Sequence, residues 1–191
     1  MPSTIEIYYQ SNIIPDQIND SERKLVRGGS WTMYNRTVIY DMICVKDINL
    51  IDDYEHVIGI RIYSMHGHSF DVTKFLAKFD KLLYLNASNC ELGSLDMLTC
   101  KDTIEFIHVP NNRLIVVDLG HFSKLINFNG GYNPITNINY GLNSKLKHLM
   151  LACTQVSSIP DYVLANLSSM WYRKCYNLSL DTSRYSGDFR Q

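Results

Sequence analysis

At 191 residues and 22.1 kDa, the chain is long enough for one domain with a sizeable core. An apolar share of 46% against 19% charged residues excludes wholesale disorder, and a net charge of −1 offers no bulk attraction to nucleic acid or an anionic membrane. No apolar run reaches the length of a membrane span and residues 1–10 carry no export signal, so an intracellular chain with reduced thiols is expected.

Residues 4–8, Thr-Ile-Glu-Ile-Tyr, alternate apolar and polar and read as a short strand that ends before Pro15. Residues 20–24 are charged and read as a solvated turn or short helix; Gly28, Gly29 and Ser30 mark a further turn. Residues 31–34 and 37–45 are β-rich runs separated by Asn35 and Arg36, the pattern of a hairpin.

From residue 57 the chain changes character. Val57, Ile60, Ile62 and Met65 open a series that returns as Leu82, Leu85, Ala87, Cys90 and Leu92, then as Ile104, Ile107, Val109, Asn112 and Leu114. It continues with Leu125, Phe128, Gly130, Asn133 and Ile135, with Leu146, Leu149, Leu151, Thr154 and Val156, and with Leu167, Met170, Tyr172 and Cys175. The instances start 25, 22, 21, 21 and 21 residues apart. This series resembles the leucine-rich repeat, L-x-x-L-x-L-x-x-N/C-x-L, whose period is about 20–29 residues.

The resemblance implies an α/β solenoid: a curved stack of about six short parallel strands with a mostly irregular or short-helical convex side. It covers residues 57–180. Residues 1–56 are then expected to be a β-rich N-terminal cap, because the first repeat exposes an apolar cross-section that something atypical must cover. Trp31, Met33, Ile39 and Ile43 are candidates for that cover, and a separate recognition module is the competing reading. The first repeat has room for a helix, with Ser69 as N-cap and Phe75, Leu76 and Phe79 on one face. Ile159 and Pro160 match the turn-and-proline variant of the repeat's second half. Residues 181–191 form a polar C-terminal tail or cap without a seventh signature.

Strand alternation splits each repeat into two faces. The apolar positions point to the core, and at the end of each strand a buried column of Met65, Cys90, Asn112, Asn133, Thr154 and Cys175 meets loop backbone. In the family, the Asn or Cys of this column hydrogen-bonds groups that would otherwise be unsatisfied. The intervening positions face the concave surface. Their third column is Gly59, Tyr84, Phe106, Asn127, His148 and Ser169; the fifth is Arg61, Asn86, His108, Asn129, Met150 and Trp171. The seventh is Tyr63, Ser88, Pro110, Gly131, Ala152 and Arg173.

These columns are poor in charge and rich in residue types that protein interfaces favour. The expected partner-binding residues are Arg61, Tyr63, Tyr84, Phe106, His108, His148, Met150, Trp171 and Arg173, with Trp171 also suited to packing under the tail.

Catalytic chemistry finds no foothold. His66 and His68 share a strand face, but no third or fourth ligand accompanies them, and solvated histidines are the plainer reading. Cys90 and Cys175 fall in the buried column, and Cys153, one residue before it, has no neighbouring His–acid pair. Gly28–Gly29 and Gly130–Gly131 lack the Lys-Ser/Thr of a phosphate cradle and read as turns or close backbone approach.

The expectation is a non-enzymatic module without cofactor or metal that binds another protein. The alternative is a structural subunit of a larger assembly such as a virus particle. The frequent Asn, Ile and Tyr suit an AT-rich genome, as in many large DNA viruses and some protists.

Overall fold

The computed structural model describes residues 5–10, 23–33, 36–45, 54–63, 71–143 and 145–191; of Gln10, residues 23–45 and Tyr63 only the backbone path is described. In chain order the elements are β1 (Ile5–Gln10), β2 (Arg23–Met33), β3 (Arg36–Val45), β4 (Val57–Tyr63), α1 (Val72–Leu76), β5 (Tyr84–Ser88), β6 (Phe106–His108) and β7 (Val116–Asp118). They continue with β8 (Asn127–Asn129), β9 (Asn137–Asn139), β10 (His148–Met150), α2 (Asp161–Leu164), β11 (Ser169–Trp171) and β12 (Asp188–Arg190).

The chain is a curved β-solenoid of about six turns with mostly parallel strands and little helix. Its main sheet runs β12-β11-β10-β8-β6-β5-β4-β1-β3-β2, parallel from β12 to β4 and antiparallel beyond. Each solenoid turn places the next strand in fixed register: Leu85 pairs with Ile60, Ile107 with Leu85, Phe128 with Ile107, Leu149 with Phe128 and Met170 with Leu149. The register follows from the period, because a slip of one residue would turn every core side chain outward. All these residues are buried in one continuous apolar cluster, together with Leu82, Ile104, Leu125, Leu146 and Leu167.

One rung breaks the size pattern and compensates for it. Phe128 stands in its column between Ile107 and Leu149 and is larger than either, and two residues on stands Gly130. A Cβ on Gly130 would lie 2.7 Å from the Phe128 ring and 2.9 Å from Ile135 Cδ1. The glycine makes room for the larger ring.

The column at the strand ends holds the turns together. Asn112 Oδ1 accepts from the backbone N–H of Cys90 (2.9 Å) and Leu92 (3.0 Å), and Asn112 Nδ2 donates to the carbonyls of Ala87 (2.8 Å) and Val109 (2.9 Å). Asn133 repeats this one turn later, accepting from Leu114 N–H and donating to Val109 and Gly130. Thr154 and Cys175 each donate to the Leu151 carbonyl instead, and their Oγ1 and Sγ lie 3.5 Å apart. Met65 and the His66–His68 pair lie outside the described residues.

Several local expectations change. Residues 23–30 are strand, not a charged turn followed by a glycine turn. Gly28 and Gly29 sit where the β2–β3 register shifts between Val26 and Gly29, so they mark a bulge within the strand. The hairpin itself is present, with Met33 opposite Arg36. Helix α1 is capped by Asp71, whose Oδ1 accepts from Lys74 N–H at 3.1 Å; the expected cap, Ser69, lies outside the described residues. Phe75, Leu76 and Phe79 are buried as a face of this helix and its exit, the two phenylalanine rings 4.9 Å apart. On the convex side β7 and β9 form a second, parallel two-stranded sheet, with Val117 and Ile138 turned inward. Pro160 caps α2, where its fixed φ suits a helix start.

The polar tail supplies another strand. β12 pairs in parallel with β11, Phe189 opposite Met170, and Phe189 packs against the end of the core with Tyr185 and Leu180. Its signature is illegible because Ser186 and Gln191 stand where the other turns carry their first and third core residues. Gly187 is required: a Cβ there would meet the Leu167 carbonyl at 2.7 Å.

Candidate partner-binding face

The sheet rows align the concave columns as the periodicity requires. One row runs Gly59, Tyr84, Phe106, Asn127, His148, Ser169, Asp188; the next runs Arg61, Asn86, His108, Asn129, Met150, Trp171, Arg190. The two halves of the face nevertheless differ sharply in what they leave open.

The described residues of the N-terminal half close on one another. Tyr84 and Phe106, expected to present their rings to a partner, are 5% and 2% exposed and cluster with Tyr8. The cause lies in the row: Gly59 stands between Tyr8 and Tyr84 and has no side chain, so the two rings meet edge to face at 6.1 Å. Arg61 is also engaged. Its Nη1 donates to Glu6 Oε2 at 3.3 Å, its Nη2 donates to the Tyr84 hydroxyl at 3.3 Å, and Tyr8 Oη donates to the same Glu6 carboxylate. Burial and that hydrogen bond to Glu6 hold the Tyr8 phenol well above its usual range. His108 Nε2 lies 2.8 Å from Asn127 Oδ1, and burial pushes its pKa below the usual 6.5 despite that bond. The side chain of Tyr63 lies outside the described residues.

Further along, the face opens. His148 is half-buried with Nδ1 2.8 Å from Ser169 Oγ, its pKa lowered first by desolvation and then by Lys147. Met150 is half-buried, Trp171 is 49% exposed, and Arg173 is exposed. These last three line a cleft of about 550 Å³ together with Pro110, Tyr132 and Arg190. Arg190 stacks over the Trp171 ring with its guanidinium carbon 5.7 Å from the centroid, and pairs with Asp188 at 2.7 Å.

Four cleft residues, Asn111, Tyr132, Arg190 and Gln191, were not legible as such. Arg190 belongs to the strand whose signature is missing. Tyr132 belongs to no strand column; it precedes the buried Asn133, and its φ of +57° throws the ring outward, 59% exposed. The position is structural in five successive turns. Asn89, Asn111, Tyr132, Cys153 and Lys174 all adopt positive φ one residue before the buried column. Four of their N–H groups donate to a carbonyl of the following turn, as Tyr132 does to Ala152 at 2.7 Å. Asparagine tolerates this conformation; a tyrosine there is strained by about 1–2 kcal/mol. That placement of Cys153 also leaves it half-buried in a turn, while burial raises the Cys100 thiol to about 12. Among the described residues no group of three or more His, Cys, Asp or Glu is placed to hold a metal ion, and no helix is long and apolar enough to cross a membrane.

No family model, curated protein or solved structure matches the chain.

Proposed function

We propose that the chain is a non-catalytic recognition module of leucine-rich-repeat type, working in a reducing compartment, that binds another protein on the C-terminal half of its concave face. One observation carries this reading: Trp171 and Tyr132 stand open around a cleft with Arg173, while Tyr84 and Phe106 of the other half are packed into one cluster with Tyr8. Tryptophan, tyrosine and arginine are the side chains that dominate binding energy when a partner desolvates them. The asparagines bonded across neighbouring turns support the repeat assignment, and residues 1–56 are read as the cap of the first turn. The test is capture of partners from the native source by the wild type, by the Trp171→Ala, Arg173→Ala double variant, and by Tyr162→Ala on the convex side. Loss of about 2 kcal/mol, roughly thirtyfold in affinity, is expected for the double variant alone. Equal recovery by all three folded proteins sinks the proposal.

A permanent place in a larger assembly is the second reading. Leu142, Tyr176, Val116 and Ile115 are exposed apolar side chains away from the cleft, which suits a molecule with more than one buried face. A monodisperse monomer in solution favours the recognition module; insolubility relieved only by a co-expressed partner favours the subunit.

A further inference from the structure

The cleft has a length, a charge and a texture that together narrow its occupant. It begins at Pro110 and Asn111 beside β6 and ends at Arg190 in β12, so it crosses four strand spacings. At about 4.8 Å each these amount to about 19 Å, the reach of about six residues of extended chain. A groove of that length fits a peptide segment better than a compact small molecule.

Its charge is one-sided. Among the side chains that line it two are arginines and none is Asp or Glu. Asp188 already neutralises Arg190, whose Nε and Nη2 both reach that carboxylate. Arg173 makes no ion pair among the described residues, and Lys174 stands exposed beside it. An uncompensated guanidinium flanked by a lysine at the mouth of an apolar groove attracts a carboxylate, which it can bind through two parallel N–H donors. The floor and walls are apolar and aromatic, from Met150, Trp171, Tyr132 and Pro110, and ask for apolar side chains next to that carboxylate.

Resting on the binding face proposed above, the geometry points to an acidic, extended segment of a partner protein as the occupant. It lies across the ends of the strands, with a carboxylate on Arg173 and apolar side chains between Trp171 and Tyr132. Single-stranded nucleic acid also uses aromatic platforms with cations, but its backbone carries a charge at every nucleotide and needs a run of lysines and arginines along the groove. Here the uncompensated cations sit at one end. The acidic peptide is favoured on that ground.

The test uses the full chain and four fluorescein-labelled probes: a peptide of alternating Glu and Leu with a central Tyr, the same peptide with Gln for Glu, the same with Lys for Glu, and a short oligothymidylate. Fluorescence anisotropy is read at low and at physiological salt. The acidic peptide is expected to bind, to weaken with salt, and to lose about tenfold in affinity in Arg173→Ala, with partial recovery in Arg173→Lys. Thermal melting checks that these exposed-site variants remain folded. Equal binding of the Gln peptide, lost in Trp171→Ala, overturns the acidic assignment and leaves the cleft as a protein site. Tighter binding of oligothymidylate overturns it in favour of nucleic acid. Binding of none of the probes, or binding unchanged in Arg173→Glu, overturns it as well, and the partner-capture comparison then decides the binding face independently.

Discussion

Asn112 makes more structural bonds than any leucine around it can, and its removal should be felt accordingly. It is 8% exposed and joins Ala87, Cys90, Leu92 and Val109 through four hydrogen bonds of 2.8–3.0 Å. Asn112→Ala leaves two N–H groups and two carbonyls without these partners in a place water reaches poorly. Each orphaned group costs about 1–3 kcal/mol, so a loss of about 3 kcal/mol or more is expected in urea unfolding. A loss of unfolding free energy below a third of that would mean water replaces the side chain. Thr154 occupies the same column with its hydroxyl bonded to the Leu151 carbonyl and 3.5 Å from Cys175 Sγ, and Thr154→Ala should cost less, about 1 kcal/mol. The contrast between the two columnar positions is a cleaner measure than either alone.

At the level of elements, β12 is the weakly held end of the parallel stack. It is three residues long, pairs on one side only, and buries Phe189 just partly. In a solenoid each turn contacts its neighbours alone, so the end turn can open without the rest. Native-state amide exchange is expected to be fastest, among the parallel strands, at the N–H of Asp188 and Tyr172, whose acceptors are the carbonyls of Ser168 and Arg190. Protection there equal to that of Leu151 would show that the end turn unfolds only with the whole. The consequence reaches the cleft, because Arg190 and its stacking on Trp171 depend on β12 staying docked. Helix, by contrast, contributes little. α1 and α2 are 5 and 4 residues long, too short to be stable alone, and exist because they bury Phe75, Leu76, Val163 and Leu164.

For the whole molecule, acid is the expected solvent weakness. His108 and His148 both have folded-state pKa values below the usual 6.5, each chiefly because burial disfavours the charged ring. The unfolded chain therefore binds protons in a window where the folded chain does not, from about 6.5 down to the folded values. Stability rises with pH across that window and is lost as pH falls through it. Urea midpoints should drop between pH 7 and pH 5, and His108→Gln should flatten the slope. An unchanged slope in that variant would place the proton uptake elsewhere.

How much was legible in the sequence varies along the molecule. The core rungs, the buried Asn112 and Asn133 column and the composition of each concave row followed from Leu82 to Cys175, because a solenoid turn is a local unit whose period the chain repeats. β12 was hidden because an end turn buries only one face and can replace leucines with Ser186 and Gln191. Tyr132 was hidden because a left-handed residue outside the strand columns leaves no apolar signature.

By itself, then, the sequence determined the stacking direction, the register and which side chains share a face, all consequences of short-range alternation and a repeat of about 21 residues. Only the tertiary structure decided which part of the concave face is open. That depends on β1, some fifty residues distant in the chain, lying antiparallel beside β4 so that Tyr8 reaches over Gly59 to Tyr84. It depends equally on β12 closing the other end. Contacts between distant segments follow from which edge is left unpaired, and no periodicity records that.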